Sequence, residues 1–246
     1  AGGGIRDFKD KDSDNNLLNF SYSPDVSGYG IYKNFITYNG ITRDYYLIRW
    51  GVNNIPNTSL AWNNDGTIPT SDDIDYGKIT FFDFKEIIFL FSIPFKNNKV
   101  VFYPQILSSS MDQENSVGIS CHMYNKIAFP HNFFLKTSIY NLFSIRYWST
   151  KVTEFYIPNI EVSIVKKSRK IDGGFSLNTN FDVLNYNLGF SYRVHDKFSV
   201  IVGSSTDNIL SFGFNVKWKL IQFQTAYLIG NKNYLFSNSQ FFTLGI

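Results

Sequence analysis

Three aspartates in alternation, Asp10, Asp12 and Asp14, are the first residues whose spacing suggests chemistry, because oxygen ligands at every second position can wrap a hard cation. A calcium loop of that kind needs Gly at its sixth position and a bidentate Glu at its twelfth. Asn15 and Ser21 stand there instead, so the segment reads as a solvated acidic stretch. A second group, Asp72, Asp73 and Asp75, falls in the longest predicted loop. It is the candidate for a divalent ion bridging lipopolysaccharide phosphates, set against the plainer reading of a solvated loop tip. His122, His131 and His195 are never two or four residues apart, so spacing shows neither a metal set nor a triad. Ser120, Cys121 and His122 are adjacent, and on a strand adjacent side chains point to opposite faces, which separates a nucleophile from its base. No nucleophile elbow, phosphate loop or paired-carboxylate signature is present. The expectation is a non-enzyme with no catalytic residue and no cofactor. The single cysteine excludes an intrachain disulfide and a multi-cysteine metal site.

The elements that would carry these residues are strands. Of the 246 residues, 18% are aromatic, with 25 Phe and 16 Tyr, a composition that favours sheet over helix. Mean hydropathy is only -0.15, and no apolar run approaches the roughly 18 residues a spanning helix needs, so a helical membrane protein is excluded. A net charge of +3 is too mild for nucleic acid, whose recognition depends on clustered Lys and Arg. No charged n-region and apolar h-region stand at Ala1, so the reading developed below requires that an export signal has been removed.

Period-two alternation in segments of about ten residues decides the class. Phe212, Phe214, Val216 and Trp218 share one face against Ser211, Gly213, Asn215, Lys217 and Lys219. Leu184, Tyr186, Leu188, Phe190 and Tyr192 repeat the pattern against Asn185, Asn187, Gly189, Ser191 and Arg193, and Phe175, Leu177, Thr179 and Phe181 continue it. One face suits hydrocarbon and the other suits water. Earlier candidate strands include Leu17 to Ser23, Tyr45 to Val52 and Thr58 to Asn63. The connections sort by length. The long ones are Asn64 to Lys85, Ser108 to Ser116, Tyr140 to Tyr156, Gly203 to Asn208 and Gly230 to Ser239; short ones include Lys126 to Asn132, Lys167 to Gly173, His195 to Lys197 and Lys219 to Leu220. Long loops outside and short turns inside are the asymmetry of an outer-membrane barrel, with the short reversal at Asp182 to Val183 as the exception.

About fifteen strands can be counted, but single-chain bacterial barrels have an even number, so one candidate in the N-terminal quarter is not a strand. The expectation is an all-β, antiparallel up-and-down transmembrane barrel of about fourteen strands over residues 16–246, preceded by an acidic, Gly-rich segment, 1–15, as a reduced plug. The cations Lys166, Lys167, Arg169 and Lys170 then fall at an inner turn near lipid headgroups. Trp50, Trp62, Tyr147, Trp148 and Tyr156 fall near strand ends, as interfacial belts require.

Several stretches together resemble the PorV/PorQ family, a branch of the FadL-like fourteen-stranded barrels. They are Leu18-Asn19-Phe20-Ser21-Tyr22-Ser23-Pro24, Asp65-Gly66-Thr67-Ile68-Pro69-Thr70-Ser71-Asp72, Tyr76-Gly77-Lys78-Ile79-Thr80, Leu107-Ser108-Ser109-Ser110-Met111, Leu210-Ser211-Phe212-Gly213-Phe214 and the closing Phe242-Thr243-Leu244-Gly245-Ile246. The family carries a longer Gly/Ala-rich N-terminal stretch with an Asn-Pro-Ala element, to which only Ala1, Gly2, Gly3 and Gly4 are similar. The resemblance implies a non-enzymatic outer-membrane component of type IX secretion that binds translocon subunits or exported cargo. It places partner contacts on the long loops, at Ile68, Pro69, Tyr76, Tyr147, Trp148 and Phe155. FadL-like kinship implies the alternative of a channel for hydrophobic small molecules, and a structural anchor in a surface assembly is the third reading. Expected partners are outer-membrane lipid or lipopolysaccharide and other proteins of a secretion or surface complex, with no nucleic acid.

Overall fold

Strands that are apolar on one face and small and polar on the other cannot share a dry core, and the chain resolves this by curling the sheet into a ring. The computed structural model describes residues 17–23, 30–40, 42–61, 74–95, 100–206, 210–218, 221–229 and 238–245. Sixteen strands lie among them: β1 (Leu17–Ser23), β2 (Ile31–Asn39), β3 (Asp44–Asn57), β4 (Thr80–Phe91), β5 (Ile93–Phe95), β6 (Val100–Met111), β7 (Glu114–Phe129), β8 (Phe133–Trp148), β9 (Thr153–Phe155), β10 (Asn159–Lys166), β11 (Ile171–Thr179), β12 (Leu184–His195), β13 (Phe198–Ser205), β14 (Leu210–Trp218), β15 (Ile221–Ile229) and β16 (Asn238–Gly245).

Fourteen of them form the ring. Consecutive long strands pair antiparallel, β8 passes over β9 to pair with β10 from Phe133↔Lys166 to Tyr140↔Asn159, and β1 meets β16 from Asn19↔Gly245 to Tyr22↔Phe242. Every long strand therefore has two neighbours, which satisfies backbone groups that hydrocarbon cannot. The two others are short additions. β5 continues β4 past Ser92, which exchanges backbone and hydroxyl hydrogen bonds with Asp44 at 2.8 and 2.7 Å, and β9 folds back on the far end of β8. The start of β1 and the end of β16 share a rim, called inner here; the connection from β3 to β4 lies on the opposite, outer rim.

The alternation is realised as read. Phe212, Phe214, Leu188, Phe190, Val202, Ile164 and Phe89 face outward and exposed, whereas Ser211, Ser176, Asn178, Ser120 and Ser144 face inward and buried. An apolar belt of this extent is stable against lipid and not against water.

The odd candidate strand, Thr58 to Asn63, is a correction: β3 ends at Asn57, residues 59–61 turn, and the Asn57 side chain accepts from the Ser59 backbone at 3.1 Å. The expected long loop Ser108 to Ser116 is also corrected. Its serines are in the ladder, Ser108↔Val117 through Ser110↔Asn115, and the strands reverse across Asp112 and Gln113 with Asp112 at φ 55. Small polar residues that look like loop by composition are lumen-facing strand here. Because a non-Gly left-handed residue costs about 1–2 kcal/mol, less for Asp, Asp112→Val should destabilise the barrel by about 1 kcal/mol while Asp112→Gly does not, as read by urea unfolding.

The loop expected over Tyr140 to Tyr156 is likewise mostly strand, since β8 runs to Trp148 and β9 follows. Strand also occupies Thr80 to Lys85, Gly203 to Ser205 and Ile171 to Gly173, and Lys126 to Phe129 belongs to β7. Phe181 lies in the reversal between β11 and β12 at φ 75 rather than in a strand. The N-terminal segment 1–15, the turn at Lys219 to Leu220 and most of the last outer connection lie outside the described residues.

The barrel lumen as candidate functional site

The lumen is packed unevenly around the ring. On the β3 to β8 side, inward positions carry bulk: Tyr46, Ile48, Leu90 and Tyr103 form a buried cluster, backed by Phe35, Ile88, Val101, Tyr124 and Tyr140. Tyr46 and Tyr103 meet edge to face with centroids 6.0 Å apart. This dry block occupies the inner half of that wall.

Toward the outer rim the same wall becomes polar. Glu86 on β4 and Arg146 on β8 are only 5% and 8% exposed, and the Arg146 Nη2 donates to Glu86 Oε1. Trp50 Nε1 donates to Glu86 Oε2 at 2.5 Å and Ser109 Oγ donates to Oε1 at 2.9 Å. Two strands, β6 and β7, separate β4 from β8 in the ring, so this pair is a chord tying non-adjacent strands through the lumen. Arg146 is enclosed further by Glu154, at 4.0 Å, and by the rings of Tyr156 and Trp148, 5.0 and 5.8 Å from the guanidinium carbon. Tyr156 donates to Glu154 at 3.0 Å, and its own pKa is pushed up to about 12, mainly by burial, so at neutral pH it is a neutral donor. Gly118 lies opposite Arg146 in the ladder, and a Cβ there would come 2.8 Å from the Ile145 carbonyl oxygen. Arg146 Nε, Trp148 Nε1 and Ser116 Oγ are buried with no hydrogen-bond partner among the described residues, so part of the chord's polar capacity is unmet.

Midway down, a β-bulge with Asn141 at φ 52 lets the Asn141 backbone N–H donate to His122 Nδ1 at 2.9 Å. Ser120 Oγ donates to Asn141 Oδ1 rather than to the histidine, and Tyr140 donates to Glu161 at 3.0 Å. His122 is thus an acceptor in a structural network and not the base of a nucleophile.

Across the ring, β10 to β15 present small inward residues. Ser163, Gly174, Ser176, Asn187, Gly189, Ser211, Gly213 and Ala226, with the larger Val165, Ile201 and Gln224 among them, line a cavity of about 270 Å³, and Glu161 and Lys136 stand beside it. Asn187 Nδ2 donates to Ser176 Oγ at 3.2 Å, holding the polar lining in place. At the inner rim a second, polar pocket of about 420 Å³ lies between β11 and β14.

The fold is one that hydrocarbon channels share. The Ralstonia pickettii toluene transporter TbuX superposes with a TM-score of 0.58 at 7% identity, covering 95% of this chain and 89% of the transporter. A mutant of the TodX monoaromatic hydrocarbon channel superposes at 0.54 and 8% identity, covering 94% and 86%. No protein-family model matches the chain, and no curated protein is significantly similar in sequence. PorV/PorQ kinship therefore has the barrel in its support and no family match, and similarity at these identities establishes architecture alone.

Placement of the expected site residues follows from the strands. Tyr76 lies exposed in a short 3-10 turn, and Tyr147 and Phe155 are exposed on β8 and β9. Trp148 is a correction as an interfacial and docking residue: it shares parity with Ser144 and Arg146 and is buried in the lumen. Trp50 is corrected in the same way, because its indole serves Glu86. Among the described residues, Tyr76 is separated from Tyr147 and Phe155 in strand order by β4, β6 and β7. Ile68, Pro69, Asp72, Asp73 and Trp62 lie outside the described residues. Asp75 is engaged locally, accepting from the Gly77 backbone at 3.1 Å and pairing with Lys78 at 3.1 Å, and among the described residues no three metal-ligating side chains gather. The sequence reading missed Glu86, Arg146 and Ser109. Arg146 falls within the loop expected over Tyr140 to Tyr156, and only its parity with Ser144 and Trp148 on a continued strand reveals it.

Proposed function

We propose that this chain is an outer-membrane pore that passes small solutes along the β10 to β15 side of its lumen, without catalysis. The observation that carries this is the one-sided packing: bulky residues and the Glu86–Arg146 chord fill one wall, while the other leaves a cavity among mostly Gly, Ser, Asn and Ala, with Val165 and Ile201. A barrel built only as an anchor has no need to keep one wall small. The apolar belt supports a membrane location, and the architecture shared with TbuX and TodX supports the outer membrane and a channel role. The cavity lining mixes Ser, Asn and Gln with Val165 and Ile201, and it is the polar pocket at the inner rim that favours small polar solutes over the hydrophobic ones of the alternative reading. Purified barrel in a planar bilayer should conduct, and Gly189→Trp should fold normally but lose most of the conductance. At Gly189 a Cβ meets nothing nearer than the Val202 carbonyl oxygen at 3.9 Å, so an indole is directed into the cavity. Conductance equal to wild type in that variant would refute this path.

A second reading rests on the height of one wall. β7 and β8 have 16 residues each, roughly 53 Å of strand, against 8 residues in β13. Their outer ends, extended by β9, expose Val117, Tyr147 and Phe155 beyond the shorter strands. A docking role toward a secretion-system subunit, as the PorV-like resemblance implies, would use this taller stretch of wall. Co-purification that is lost in Tyr147→Ser with Phe155→Ser would support it, and co-purification unchanged by both would count against it.

A further inference from the structure

The inner mouth of the lumen carries an excess of positive charge on a built pocket. The pocket of about 420 Å³ is lined by Lys170, Arg193, Lys197 and Lys217, with Asp172 and Asp196 as its only carboxylates, an excess of two positive charges with His195 neutral. Strand register puts this chemistry inside the barrel. Asp172 pairs with Ser191, Arg193 with Ser199 and Ser199 with Asn215, all on the inward parity, and the Lys217 backbone donates to the Lys197 carbonyl at 2.8 Å. Arg193 is committed: it donates to the Arg169 carbonyl at 2.9 Å and faces Asp172 at 3.9 Å. Lys170, Lys197 and Lys217 make no ion pair with any described residue. The basic character continues along the neighbouring wall, where the ammonium groups of Lys126 and Lys167 lie 4.4 and 5.9 Å from the Phe134 ring.

We propose that this mouth is an anion-binding constriction, so that the pore selects small organic anions, carboxylates or phosphates, over cations. The proposal rests on the pore reading above and names its substrate class. Fixed charges of one sign at a pore mouth raise the local concentration of counter-ions, because the low-dielectric wall focuses their field. The lysines are exposed, so binding is weak enough for release and weakens further with salt. Asp172 orients Arg193 without cancelling the three lysines.

The test is the reversal potential of the purified barrel in a planar bilayer under a KCl gradient. Wild type should favour chloride over potassium by several-fold, Lys197→Arg with Lys217→Arg should keep that preference, and Lys197→Glu with Lys217→Glu should conduct and reverse it. A cation-selective wild type, or a reversal potential unmoved in the double Glu variant, overturns the proposal. Citrate binding to the detergent-solubilised barrel, followed by calorimetry, separates this result from failure of the pore itself. Binding that the double Glu variant loses, with no conductance in wild type, keeps the anion site and removes the pore. Neither binding nor conductance removes both.

Discussion

Glu86→Ala should cost the barrel about 3–5 kcal/mol, more than any other single truncation on the lumen face, because it strands the Arg146 charge in a buried position. The alanine removes the acceptor of three donors at once, from Arg146, Trp50 and Ser109, and leaves Glu154 at 4.0 Å as the only remaining acid. Removing both charges is a different experiment. Glu86→Met with Arg146→Met deletes a pair whose desolvation cancels much of its attraction, so the double variant should recover most of the loss. Urea unfolding of barrels refolded into lipid vesicles, followed by tryptophan fluorescence, reads both. A single variant within about 0.5 kcal/mol of wild type would show that the chord is incidental to stability.

The second large effect is expected from one step along a strand. Leu188→Arg puts a guanidinium on the lipid face near the middle of β12 and should cost about 2–4 kcal/mol, whereas Asn187→Arg, one residue earlier, should be nearly neutral for folding. Leu188 is exposed on the outer belt, whereas Asn187 bonds the buried Ser176 on the inward face, so the second arginine should instead narrow the pore and strengthen its anion preference. Equal destabilisation by the two substitutions would mean that the apolar face of β12 does not meet lipid. The same vesicle assay measures the stability of both, and bilayer conductance reads the consequence for the second.

The ring of strands was legible because its signal is local. Each strand declares its two faces through neighbours two residues apart, so Leu184 to Arg193 and Ser211 to Trp218 are readable without knowing what they pair with. An even strand count requires one candidate in the N-terminal quarter to be no strand, and the described part of the Thr58 to Asn63 candidate, residues 58–61, is a turn. Extents were harder. Ser108 to Ser110 and Tyr140 to Trp148 read as loop because serine and mixed aromatic composition is common there, yet partner strands hold Ser108 to Ser110 and Phe143 to Trp148 in the ladder. Composition cannot distinguish a polar loop from a strand whose polar face lines water.

What the lumen does was decided only in three dimensions. Sequence alternation determined that one face would be apolar and turn to lipid, and that the chain would close on itself to leave no free edge. It could not determine which inward residues meet, because contacts inside a barrel depend on strand order and stagger around the ring. Glu86 and Arg146 are 60 residues apart with two strands between them, and the packed block and the open cavity are built from different sets of strands. The four cations of the inner mouth come from three separate stretches and share a pocket only because register brings the ends of β11 to β14 to one rim.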